Sequence, residues 1–289
     1  MSPFARDKVL PAAQEVDGLV DALAREAARG ARARKPRVDR ISARLALLSE
    51  EALPAVRGRL EDLGEPGCVV LARMGPLAVP GLVADLRSPS DARRRLAARA
   101  LGLSGSAAAV APLRAALDDE DPAVGRAAEF GLETLARTWA RALRDGSLRD
   151  QAMAVLTAIG APAVWPLAHL LRDRDLGLFA AKTLGQIGEP AVRPALLVLV
   201  HARRSPEREA SDPAFVFAAS ALAFIGAPAL EPAAELLRDG TESPDVRAGA
   251  AFVLARMGEA AVPSLRQALT DDDAHVRAAA AEALARAVA

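Results

Sequence analysis

The sequence predicts an all-α protein, an open stack of about seven to eight helical hairpins laid out in chain order. Three observations carry this. First, a short phrase recurs: a glycine, Ala-Val or Ala-Leu three and four residues later, then proline. It reads Gly75…Ala78-Val79-Pro80, Gly160…Ala163-Val164-Trp165-Pro166, Gly188…Ala191-Val192-Arg193-Pro194, Gly226…Ala229-Leu230-Glu231-Pro232 and Gly258…Ala261-Val262-Pro263. Looser copies stand at Ser49…Ala52-Leu53-Pro54 and Gly105…Ala109-Val110-Ala111-Pro112. Second, apolar residues precede these glycines at helical spacing, as in Ala152, Leu156 and Ile159 or Ala180, Leu184 and Ile187. Third, 52% of the residues are hydrophobic but only 3% are aromatic, and tyrosine is absent. The core must therefore be Ala, Leu and Val, and the first two are strong helix formers.

The elements follow in order. Val16, Leu19, Val20, Leu23 and Ala27 form one apolar stripe, which predicts an N-terminal helix covering the first hairpin. Gly30 to Arg37 (GARARKPR) is polar and basic and reads as a linker. The chain thus divides into 1–37, a capping helix with a basic linker, and 38–289, the repeat array. Within a unit, a first helix carries the stripe that ends at the glycine. Leu148, Leu176, Ala214 and Val246 are expected at its start. The glycine stops the helix in the left-handed C-cap conformation. The proline suits the first turn of a second helix. That helix has its own stripe: Val164, Leu167, Leu170 and Leu171, or Val192, Leu196 and Leu199. An acidic turn closes the unit at Asp173, Asp239 or Asp271–Asp273, where Asp can cap the next helix. One unit departs: from Asp121 through Leu132, Leu135 and Trp139 to Leu143 no such phrase occurs, which predicts a longer or shallowly broken helix. Another carries an extra polar stretch from His201 to Asp212.

The segment Asp245-Val246-Arg247-Ala248 running to Leu254-Ala255-Arg256-Met257-Gly258, then Ala261-Val262-Pro263-Ser264-Leu265, resembles a HEAT repeat. The nearest subtype is the short bacterial one first noted in phycobilisome lyases. Asp273-Ala274-His275-Val276-Arg277 repeats its opening. The resemblance spans residues 38–289. It implies a right-handed α-α superhelix, a HEAT-like solenoid, whose second helices line a concave binding face.

The sequence offers little chemistry. Lys+Arg and Asp+Glu are both 37, so no global field draws nucleic acid or an anionic membrane. His169, His201 and His275 are scattered, and Cys68 is the single cysteine. Neither a zinc set nor a phosphate-binding loop is expected, and no cofactor is implied. Cys68 reads as a small core residue in a reducing compartment. The segment from Met1 to Leu10 carries Arg6, Asp7 and Lys8 and lacks the apolar core of a leader. No run approaches the ~18 apolar residues of a spanning helix. A cytoplasmic protein without catalytic activity is expected.

Charge has its own periodicity. Arginine stands eleven residues before the glycine at Arg149 and Arg247, with Arg277 equivalent in the last unit. These are expected to pair with turn aspartates of neighbouring units. The ladder breaks at Gly177 and Phe215. Two further basic clusters, Arg25 to Arg40 and Arg87 with Arg93-Arg94-Arg95 and Arg99, read either as solvated faces or as sites for an acidic protein or phosphate.

Repetition also reveals exposure, because a slot whose polarity varies among units faces water. The slot five after the glycine holds Pro80, Trp165, Arg193, Glu231 and Pro263, which places Trp165 at the surface. The slot two before it holds Ala158, Gln186, Phe224 and Arg256, which does the same for Phe224. Phe179, Phe215 and Phe217 either bind or pack. The expected function is a scaffold that takes a protein partner of unspecified identity through Trp165, His169, Arg193, Phe224, Glu231 and Arg266, with residues 201–212 as a specificity element. The resemblance also admits a bilin lyase-type role, or nucleic-acid recognition of the kind found in DNA glycosylases built from HEAT-like repeats. Neutral charge and absent tyrosine oppose the latter, and the sequence leaves the oligomeric state open.

Overall fold

The computed structural model describes residues 12–204 and 212–288. Among the described residues every regular element is helical. The chain forms two compact units, residues 1–135 and 136–289. The N-terminal unit holds α1 (Ala12–Ala27), α2 (Lys35–Leu47), α3 (Ser49–Gly58), α4 (Leu60–Arg73), α5 (Val79–Asp85), α6 (Asp91–Leu103), α7 (Val110–Ala115) and most of α8 (Pro122–Ala142). The C-terminal unit continues with α9 (Arg149–Ile159), α10 (Val164–Leu170), α11 (Gly177–Ile187), α12 (Val192–Arg204), α13 (Pro213–Ile225), α14 (Ala227–Arg238), α15 (Pro244–Ala255), α16 (Val262–Ala268) and α17 (Ala274–Ala287).

In the C-terminal unit the first helices pack in chain order, α9 on α11, α11 on α13, α13 on α15 and α15 on α17. The second helices do the same, α10 beside α12, α12 beside α14 and α14 beside α16. The anticipated stripes make this core: Ala152, Leu156, Ala180, Leu184, Ala218, Leu222, Ala250 and Leu254 are all sealed from solvent. Small side chains allow close approach. In the N-terminal unit a Cβ placed on Gly102 of α6 would lie 2.3 Å from the Cα of Gly131 in α8, so backbone rests on backbone there.

At three of the repeat glycines the turn differs in detail from expectation. At Gly160 the backbone has φ 78° and ψ −134°, and Gly188 and Gly226 repeat it. This lies outside the left-handed helical well, in a region essentially reserved for glycine. The amide of Gly160 still donates to the carbonyl of Leu156, closing the first helix. A turn of 3-10 helix, Ala161–Ala163, then leads into α10. The loose Ser49 copy also separates a first from a second helix, but without a positive-φ glycine: α2 ends at Leu47, Leu48 has φ −82° and ψ 4°, and Ser49 opens α3, with Pro54 inside that helix as Pro232 is inside α14. A separate break, between α3 and the main part of α4, falls at Gly64, φ 54°.

Other expectations need correction. Leu148 is 38% exposed, because α9 begins at Arg149 and leaves Leu148 in the turn after α8. Asp273 caps α17 by accepting from the amides of His275 and Val276. Asp239 instead folds its own turn, accepting from the amide and hydroxyl of Thr241, and Asp173 accepts from the amides of Asp175 and Leu176. The segment read as a basic linker is structured: Gly30–Arg32 is a 3-10 turn and α2 starts at Lys35. The departing unit agrees with expectation and takes the longer of its two forms, the unbroken helix α8. The first part of the polar stretch, His201–Arg204, is the last turn of α12. It reaches forward through Arg204, which pairs with Glu242 just before α15. Residues 205–211 of that stretch lie outside the described residues.

Candidate functional site

The second helices α10, α12 and α14 present their variable slots away from the core. Their buried sides are held by Val164, Leu167, Val192, Leu199, Ala233 and Leu237. The outward sides enclose an open groove of about 790 Å³. Trp165 stands on one side from α10, Leu197 and Val200 rise from α12, and Leu236 comes from α14. Trp165 is 53% and Leu197 58% exposed, so two large apolar side chains face solvent in one depression. Arg193 supplies a cation, and Glu235 and Asp239 supply carboxylates. The Asp239 carboxyl is held below the usual range, first by the Thr241 hydroxyl and then by its amide, so that flank stays ionised. An apolar floor with opposed charges at its edges suits a protein segment rather than a reacting small molecule.

The residues singled out from the sequence do not all converge here. Trp165 and Arg193 line the groove. His169 lies one turn beyond Trp165, exposed, with Nδ1–H donating to the Trp165 carbonyl at 2.8 Å. Glu231 pairs with Arg238 along α14. Arg266 is exposed on α16. Phe224 is 46% exposed but sits on α13, a first helix, with its Cβ over Gly185 of α11. Its slot precedes the glycine, so it belongs to the other row of helices and takes no part in this groove. Leu197 is a groove residue outside the sequence-derived set, although slot comparison also marks it as exposed. Its slot, nine after the glycine, holds His169, Glu235 and Gln267 in other units.

Phe179, Phe215 and Phe217 pack. Phe215 is buried, 5.3 Å from the Phe252 ring, with the Arg203 guanidinium 3.5 Å above its face. Arg149 stands 4.4 Å over Phe179. Phe217 fills the space over Gly177, which explains why the arginine ladder breaks there. The ladder works as anticipated at Arg247, which pairs with Asp271 of the next turn. At Arg149 and Arg277 it works differently, since those side chains donate to the carbonyls of Leu143, Asp271 and Asp272. The cluster at Arg93–Arg99 is mostly spent internally. Arg93 and Arg57 share Asp85, Arg94 grips Asp119, and Arg99 pairs with Glu65.

Cys68 is buried on α4, and its thiol donates to the Leu96 carbonyl at 3.3 Å. Burial pushes that thiol up to about 12. Among the described residues no group of three or more His, Cys, Asp or Glu side chains is placed to hold a metal ion. No single helix among them is long and apolar enough to cross a membrane. The apolar pair Leu60–Arg73 and Gly75–Asp85 is bent by 115°, and its Cys68, Val70, Leu71 and Leu82 are core.

With this geometry in view, comparison with known proteins is direct. Residues 79–138 and 230–287 match the family model for HEAT repeats. Those two regions carry HEAT repeats, and among the described residues every regular element of the chain is helical. No curated protein matches it. Among solved structures, human deoxyhypusine hydroxylase in complex with glycerol is 20% identical over 96% of each chain, with a TM-score of 0.29. An engineered protein is 22% identical over 72% of this chain and 96% of its own, with a TM-score of 0.27. Kap121p is 14% identical over 98% of this chain but only 36% of its own, with a TM-score of 0.32. Likeness at this level says nothing of activity or partner.

Proposed function

We propose that this chain is a non-catalytic scaffold or adaptor that binds a protein partner along the second helices of its C-terminal unit. The observation that carries the reading is the pairing of Trp165 and Leu197, both more than half exposed, in one groove. Large apolar side chains gathered in a depression and ringed by charge are the usual anchors of an interface. The occupant is a segment with apolar side chains for Trp165, Leu197 and Leu236, flanked by an acid toward Arg193 and a base toward Glu235 and Asp239. A lone, buried thiol suits a reducing compartment, which supports the cytoplasm as the setting.

The test is affinity isolation from native cells with the wild type and with Trp165→Ala/Leu197→Ala, followed by titration of the partner found. The double variant should bind at least about tenfold more weakly. Its urea midpoint should correspond to a stability change within about 0.5 kcal/mol, because both side chains are at the surface. A partner that binds both proteins equally would sink the groove as the site.

A further inference from the structure

We propose that the groove between α1 and α2 in the N-terminal unit is a second docking surface, one for an acidic protein segment that carries an apolar residue. The groove encloses about 780 Å³ and is lined by Leu19, Arg34, Pro36, Arg37, Arg40 and Ile41.

The sequence sets the charge. Because α2 begins at Lys35, arginines spaced three apart at 34, 37 and 40 fall on one side of its first turns. Leu19 of α1 and Ile41 supply the apolar floor. Glu26, only 2% exposed, fixes the segment from below. Its carboxylate accepts from the Arg34 amide at 3.1 Å and from Arg29 at 3.0 Å, and lies 3.5 Å from Arg37 Nε. The amide bond and the surrounding arginines hold its carboxyl below the ordinary range, so it remains an anion that preorganises the surface.

One carboxylate does not balance this cluster. Several arginines elsewhere are matched to acids: Arg57 and Arg93 with Asp85, Arg94 with Asp119, Arg44 with Glu15, Arg59 with Asp21. Among the described residues neither Arg34 nor Arg40 is paired with a carboxylate, and Arg40 Nε donates only to the Pro36 carbonyl, at 3.3 Å. The groove lining therefore holds three arginines and no acid over an apolar floor, a local cationic excess in a chain of zero net charge. Guanidinium forks match carboxylates in bidentate geometry. A nucleic acid would need a longer run of phosphate contacts and would not use the Leu19 and Ile41 floor.

The experiment selects random displayed dodecapeptides on the full chain and titrates the winners as fluorescein-labelled peptides. The expected winners are rich in Asp and Glu with at least one large apolar residue. Their affinity should fall about tenfold or more in Arg34→Ala/Arg40→Ala, fall further in Arg34→Glu/Arg40→Glu, and weaken with added salt. Trp165→Ala should leave it unchanged, which separates this surface from the C-terminal groove. Winners without acidic residues, or equal binding to the arginine variants, would overturn the proposal. So would binding of a short DNA duplex or phosphatidylserine vesicles through these arginines in place of acidic peptides.

Discussion

Arg94 and Asp119 are joined by two parallel hydrogen bonds of 2.9 Å, Nε to Oδ2 and Nη2 to Oδ1, running from α6 to the turn before α8. Arg94 also donates to the Ser88 carbonyl, so one buried guanidinium ties together two turns and a helix. Removing one partner of such a pair leaves the other desolvated and uncompensated. Arg94→Ala should therefore lower the urea midpoint clearly more than Arg95→Ala, which changes an exposed neighbour. Equal midpoints would show that the pair contributes nothing.

Acid should destabilise the fold. The Arg94 guanidinium holds the Asp119 carboxyl below its ordinary value of 3.8, and Asp271 is lowered first by the Asp273 amide and then by Arg247. A depressed folded value means the unfolded chain takes up protons first. The stability these groups add is complete above the unfolded range and is lost as pH falls through the folded one. The urea midpoint should be level above about pH 5 and drop below about pH 4. Asp119→Asn should be less stable at neutral pH and less sensitive to acid. A midpoint that rises between pH 5 and pH 3 would contradict this.

Gly188 should not tolerate a side chain. Its φ of 83° with ψ of −137° is strained for any L-residue, though a Cβ there would touch nothing. Gly188→Ala should cost about 1–3 kcal/mol in chemical denaturation. Gly146→Ala, also in open space but without positive φ, should stay within about 0.5 kcal/mol.

Gly177 and Phe217 should be coupled. A Cβ on Gly177 would lie 2.1 Å from Phe217 Cδ2. Gly177→Ala should cost about 1–3 kcal/mol by overpacking. Combined with Phe217→Ala, the loss should be smaller than the sum of the single effects. Strict additivity in the four-member cycle would show that the contact is not felt.

Cys68 should report unfolding. Its buried thiol, pushed up to about 12, is not an attacking thiolate in the native state, whereas an unfolded cysteine ionises near about 8.5. Near pH 8 an aromatic disulfide reagent should modify it only as fast as the protein opens, and urea should accelerate the reaction. Immediate stoichiometric labelling of the native protein would refute this.

Much of the array was legible because repetition supplies its own controls. The apolar slots before each glycine and the acidic turns after each second helix could be compared across units without any other sequence. The same comparison exposed Trp165. It failed where a unit breaks the pattern. Gly64 has no Ala-Val phrase after it, so its turn was invisible. Glu26 lies outside the repeat, and a lone acid in a basic run gives no sign that it will be buried beneath its neighbours. Phe224 illustrates a different limit: variable polarity reports exposure but not which row of helices carries the residue. Arg94 was hidden for the reverse reason, since a cluster of arginines looks solvated until its partners, 25 and 26 residues away at Asp119 and Glu120, come into place.

The meeting of Gly102 with Gly131 has a consequence for anyone wishing to reshape this array. Where helices touch through side chains, their spacing can be adjusted one methylene at a time. At this junction there is nothing left to trim, and any enlargement must pry two main chains apart. Redesign that splices, duplicates or re-pitches hairpins should treat α6 and α8 as an indivisible cassette and make its adjustments elsewhere.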